Sequence, residues 1–227
     1  MKKITLGLIL LGLVTSALAV DKEELDDRIR KLTENFGEMQ RDSDKSIPAD
    51  ELRKAQGIIL LDRTKAGIVF AFQGGSGVAL VKDPKNEQWS PAAFVSANEA
   101  SLGFQVGGQQ SFVVILLMDT NALQMLTQSK MKFSGEAGGT VGDVSGGQQT
   151  SFSKPVGSVR VYTDRIGIFG GAALKGGTLK PDNQANKIYY GQFLTLQDIV
   201  FEKKVQPSET TEYLVKKLVQ YSKEKRK

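Results

Sequence analysis

The sequence predicts a single α+β domain with a curved, mainly antiparallel, glycine-rich β core flanked by N- and C-terminal helices. Three observations predict it. Apolar residues recur at helical spacing near both ends. Strand-sized apolar runs alternate with glycine clusters from about Gly57 to Lys180. No linker-like stretch interrupts the interior.

The first nineteen residues have the make-up of a removable leader. Lys2 and Lys3 form a positive start, Ile4 to Leu13 a short apolar run, and Ala17-Leu18-Ala19 a small-x-small cleavage signature. Cleavage is expected near Ala19, which would place the mature chain in a periplasm or outside the cell. No Cys follows the cleavage signature, so there is no thiol to acylate there.

Asp21 to Arg41 is expected to be an amphipathic helix, because Leu25, Ile29, Leu32 and Phe36 share one face. Pro48 suits the first turn of a second, short helix through Gln56, which Gly57 ends. Strands are then expected at Ile58–Leu61, Gly67–Phe72, Val78–Val81, Phe94–Ala97 and Leu102–Val106. Phe112–Leu117 is apolar throughout, as a strand buried on both faces must be. Asp119 or Thr120 can cap a helix through about Leu126, with Ala122, Leu123 and Leu126 inward. Further strands are expected around Met131–Ser134, Thr140–Val144, Ser158–Tyr162, Gly167–Phe169, Ala172–Leu174 and Thr178–Leu179. Asp182 or Asn183 can cap a helix through Tyr190. Pro207 and Ser208 open the last helix, with Leu214, Leu218 and Tyr221 on one face. The expected boundaries are a leader over 1–19, a helical segment over 20–51, a β-rich core over 52–191, and a C-terminal helical segment over 192–227 within the same domain.

Composition excludes much chemistry. The chain has no Cys and no His, so thiol nucleophiles, Ser-His-Asp triads and Cys/His zinc sites cannot be built. The net charge is +5, and the leader holds Lys2 and Lys3, so the mature chain is mildly basic. Such a balance permits attraction to anionic lipid, and without a dense basic stripe nucleic acid is not expected as a partner. The 24 glycines cluster in pairs at Gly74-Gly75, Gly107-Gly108, Gly138-Gly139, Gly146-Gly147, Gly170-Gly171 and Gly176-Gly177. They are read as turns of a curved sheet, or alternatively as the lining of a ligand groove.

Three motifs invite a functional reading. Gly171 to Thr178 nearly fits a phosphate-cradling loop, but Gly177 stands where that loop needs its Lys. Gly74-Gly75-Ser76-Gly77 suggests an exposed nucleophile, yet Val78 replaces the second elbow glycine, and Ser76 would need Lys65 or Lys82 as its base. It is read instead as a glycine turn between strands. The last helix carries Lys216, Lys217, Lys223, Lys225, Arg226 and Lys227. Such a helix either lies on an anionic membrane or docks its apolar face on the core with the lysines offsetting the helix dipole.

Taken in order, several segments resemble the SYLF domain family. They are Lys54-Ala55-Gln56-Gly57-Ile58, Lys65-Ala66-Gly67 with Gly74-Gly75-Ser76-Gly77, and Trp89-Ser90-Pro91-Ala92-Ala93-Phe94. Next come Gly103 to Gln109, Leu116-Leu117-Met118, Gly167 to Gly171, and Lys180-Pro181-Asp182-Asn183-Gln184-Ala185-Asn186 leading to Tyr189-Tyr190-Gly191. Ala92 departs from the family's second Pro, and Lys175 stands where many relatives carry an acid. The resemblance implies lipid binding, in fungi also actin binding, and no catalytic residues. With a leader, the secreted bacterial branch is expected, and actin is not an expected partner there.

The expectation is therefore a non-enzymatic periplasmic protein that binds lipid or a membrane surface, with an anionic phospholipid as partner and no cofactor or metal. The candidate lipid-binding residues are Lys65, Lys82, Arg165, Lys175, Lys180, Lys216 and Lys217, with an exposed amphipathic helix entering the acyl boundary. A cell-envelope scaffold that binds another protein is the alternative, followed by a hydrolase using carboxylates or a Ser-Lys pair.

Overall fold

A computed structural model describes residues 20–66, 72–98, 111–133, 158–164, 167–169 and 177–224. The leader, Arg165 and Lys175 lie outside them, as do the strands expected at Leu102–Val106, Thr140–Val144 and Ala172–Leu174 and all but Phe72 of Gly67–Phe72.

The chain begins with α1 (Lys22–Arg41) and α2 (Ala49–Lys54), followed by strands β1 (Gly57–Ala66), β2 (Phe72–Val81), β3 (Ala93–Asn98) and β4 (Ser111–Leu117). Helix α3 (Thr120–Gln124) runs into a 3-10 turn at Met125–Thr127. Strands β5 (Met131–Phe133), β6 (Val159–Thr163), β7 (Gly167–Phe169) and β8 (Gly177–Pro181) follow. Helices α4 (Asn183–Tyr190), α5 (Leu196–Val200) and α6 (Glu209–Lys223) close the chain.

Local capping explains the helix starts. The Asp21 carboxylate accepts from Glu24 N–H at 2.9 Å, Asp119 from Ala122 N–H at 2.9 Å, and Asp182 from Ala185 N–H at 3.0 Å. Ser208 Oγ accepts from Thr211 N–H at 3.2 Å. Gly191, in the left-handed region at φ 69°, ends α4, where a side chain would be strained. Asp119→Ala is expected to cost about 1 kcal/mol of stability, read from urea denaturation; no change would mean that the cap is idle.

The eight strands form one sheet in the order β5-β8-β3-β2-β1-β4-β6-β7, every neighbouring pair antiparallel. The β4-β1-β2-β3 portion has the spatial order of a Greek key. Both faces are covered. Ile58, Leu60, Val78, Leu80, Phe94, Val114, Leu116 and Tyr162 pack under α1, α2, α4 and α6. Ile59, Leu61, Ala79, Val95, Val113, Ile115, Leu117 and Val161 pack against α3, the 3-10 turn and α5. Double coverage is why Ile58–Leu61 and Phe112–Leu117 show no polar alternation.

Two expectations need correction. Gly74 to Gly77 are not a turn, because they lie inside β2, paired with β1 on one side and β3 on the other. The reason sits at Gly77: a Cβ there would lie 1.9 Å from the Leu60 carbonyl oxygen, so this central strand pair closes only around glycine. Nor is either long helix free to enter a membrane through its apolar stripe. Leu25, Ile29, Leu32 and Phe36 of α1 and Leu214, Leu218 and Tyr221 of α6 are all buried in the core. The Phe36 and Tyr221 rings meet edge to face at 5.7 Å. Among the described residues no helix is long and apolar enough to cross a membrane.

Candidate functional site

Helix α1 lies over β1, β2 and β4 on one face of the sheet. Near its start Asp26 meets the Tyr189 hydroxyl at 2.5 Å, and the Tyr189 ring contacts Phe94 of β3 at 5.0 Å. Ser208 Oγ and Thr210 Oγ1 lie 2.6 and 3.1 Å from the same hydroxyl, so one phenol ties α1, α4 and α6 together. Burial first, then the Asp26 carboxylate, raise the Tyr189 pKa above the ordinary phenol value and keep it protonated.

Near its end α1 overhangs β1, β4 and the end of β6. A cleft of about 340 Å³ opens there, lined by Lys31, Asn35, Glu38, Met39, Asp42, Lys45, Asp62, Phe112 and Asp164. The Lys31 ammonium lies 2.6 Å from Asp62, and Lys45 lies 2.8 Å from Asp42, whose pKa that contact lowers. Asp164 Oδ1 is buried without a hydrogen-bond partner among the described residues. Four carboxylates against two ammonium groups make this cleft acidic and polar, unsuited to an acyl chain. Among the described residues no group of three or more His, Cys, Asp or Glu side chains could hold a metal ion.

The candidate cations are dispersed. Lys82 is half-buried at the end of β2, where its Nζ donates to the Arg53 carbonyl at 2.6 Å and sits 5.7 Å from the Trp89 ring centre. Desolvation there lowers its pKa. It lies six residues along β2 from Ser76, about 20 Å at strand rise, too far to act as that serine's base. Lys65 stands opposite Gln73 in the β1–β2 ladder, and its side chain lies outside the described residues. Lys216 is exposed on α6, and Lys217 next to it places its Nζ 5.5 Å from the Tyr213 ring centre. Lys180 is exposed on β8, directly opposite Ser96.

That pairing continues across the sheet. Lys180 faces Ser96, Ser96 faces Ser76, and Ser76 faces Asp62 in successive ladders, so the four form one polar row on the α1 side of a largely apolar face. The row was not legible in the sequence, since its members are scattered over four strands.

Sequence reasoning also missed the most exposed large apolar side chain among the described residues. Phe193, in the loop between α4 and α5, is 79% exposed, and Lys187 Nζ lies 4.1 Å from its ring centre. Tyr213, beside Lys217, is 49% exposed. The available signal for the first was a Phe between Gly191-Gln192 and the Thr195…Asp198 capping box of α5.

The family model of Ysc84, described as "Las17-binding protein actin regulator", matches residues 98–221, from the end of β3 into α6. The chain belongs to the Ysc84 family. The SYLF resemblance read from the sequence is this same family. Among curated proteins it is similar to SH3 domain-containing YSC84-like protein 1 of Rattus norvegicus, 29% identical over 168 residues, which are 73% of this chain and 49% of the relative. The human protein of that name is 27% identical over the same length. LAS seventeen-binding protein 3 of Saccharomyces cerevisiae is 26% identical over 162 residues, 70% of this chain and 35% of the relative. The chain thus spans about half or less of the relatives it matches.

The Lys180–Tyr190 segment, within the residues that the family model matches, anchors α4 in this chain. Asp182 caps α4. Asn186, fully buried, accepts from Phe94 N–H at 2.7 Å through Oδ1 and donates through Nδ2 to the Phe94 carbonyl at 3.2 Å. Tyr190 donates to the Ala92 carbonyl at 2.6 Å. These contacts seat α4 on β3, which positions the Phe193 loop at one end of the helix and Lys180 just before the other.

Proposed function

We propose that this Ysc84-family chain is a non-enzymatic binding protein of a bacterial periplasm that associates reversibly with an anionic lipid surface. The observation that carries the reading is Phe193, 79% exposed with Lys187 Nζ 4.1 Å from its ring centre. An apolar ring beside a cation suits the boundary between acyl chains and anionic head groups. Tyr213 with Lys217 repeats the combination on α6. Contact is with the exterior, since both amphipathic helices are docked and the cleft under α1 is acidic. Burying one Phe contributes about 1.5–3 kcal/mol, and each cation near anionic lipid about 1 kcal/mol. That is enough for reversible association. The leader-like Lys2-to-Ala19 segment supports the periplasmic setting.

Flotation with phosphatidylglycerol vesicles at low salt tests the reading. The chain is expected to float with the vesicles, and Phe193→Ala to weaken binding about tenfold or more. Failure of the unaltered chain to bind would sink it. The family's description and the name of the yeast relative support a second reading, an envelope protein-interaction domain. One dominant protein cross-link without vesicle binding would favour it.

A further inference from the structure

We infer that Lys180, Ser96 and Ser76 form a phosphate-binding row on the α1 side of the sheet. The inference rests on the surface-binding reading only for the source of the phosphate. The three side chains are neighbours by register across β8, β3 and β2. The two serines are half-buried and the lysine is exposed, which leaves an entry from solvent at the β8 side. None of the three has a hydrogen bond or ion pair with another described residue. Neither serine hydroxyl is among the buried side-chain atoms left without a partner, so both are open to solvent and available to a ligand.

One carboxylate borders the row, and it also lines the acidic cleft under α1. Asp62, the next residue along, has its carboxylate matched by Lys31 at 2.6 Å. Arg28 sits half-buried one turn before Lys31 on the same edge of α1. Its guanidinium is only loosely held, 3.8 Å from Glu24. Directly opposed side chains in adjacent strands stand about 5 Å apart, a spacing at which two hydroxyls can donate to different oxygens of one phosphate. The Lys180 ammonium, on its flexible stem, adds the charge. No bond is made or broken. The ligand chemistry is a phosphate group, either the diester of a lipid head group or a free phosphate.

The experiment compares the full chain with Lys180→Glu, Lys180→Arg and the double variant Ser76→Ala/Ser96→Ala. Each is tested against phosphatidylglycerol vesicles at low salt and, by amide NMR shifts, against inorganic phosphate. The unaltered chain is expected to bind both, with the phosphate shifts centred on 76, 96 and 180. Lys180→Glu is expected to lower vesicle affinity about tenfold and Lys180→Arg to retain it within about twofold. The serine variant carries no charge change, so its expected several-fold loss is one that a general charge effect does not produce. Circular dichroism melts confirm that each variant is folded. Vesicle binding unchanged in the serine and Lys180→Glu variants overturns the row and leaves the membrane reading standing. Phosphate binding lost in the variants, with no vesicle binding by any form, supports the row and overturns the membrane source. Binding of neither probe by the unaltered chain overturns both.

Discussion

Gly77→Ala is expected to destabilise the fold by about 3 kcal/mol or more, lowering the melting temperature by about 6–12 °C. The added Cβ would stand 1.9 Å from the Leu60 carbonyl oxygen and 2.8 Å from Leu61 Cδ2. The nearest obstacle is main chain, so no rotamer change relieves it. Strand β1 would have to part from β2, and these two lie in the middle of the eight-stranded order. At an open turn with φ below zero the same substitution would change stability by about 1 kcal/mol at most. Thermal unfolding therefore separates the two placements, and a fall of less than about 2 °C would place Gly77 somewhere other than a packed strand.

Asn186→Ala is expected to cost about 2–4 kcal/mol in urea denaturation. Two losses combine. Phe94 N–H, buried, loses its only acceptor among the described residues, the Asn186 Oδ1 at 2.7 Å. A cavity opens where the amide filled a fully buried position between α4 and β3. The Phe94 carbonyl is less affected because Asp182 N–H also reaches it at 2.9 Å. Amide exchange should accelerate first in α4, where the tether is cut. A loss under about 1 kcal/mol, or acceleration elsewhere first, would show that α4 is held by other contacts.

Much of the architecture was readable because its signals are local. Asp119, Asp182 and Ser208 were recognisable as caps, since a cap needs only its own side chain and an amide three residues on. The α1 stripe from Leu25 to Phe36 and the doubly buried β4 were readable from apolar spacing. Helix α5 escaped because five residues carry too little periodicity, although Thr195 and Asp198 form a capping box. The site was harder to read. Lys82 and Lys180 look alike in the sequence, yet one ammonium is committed to the Arg53 carbonyl and the other is exposed.

From its residues alone this protein was committed to a helix–β–helix order, to chemistry without thiols or imidazoles, and to membership in a binding family. Tertiary structure decided which of its greasy stripes are spent inside, which cations stay outside, and which hydroxyls stand side by side. The division follows from range. Caps and helical periodicity act within one turn of chain, whereas ladder register and helix docking join residues as far apart as Ser76 and Lys180.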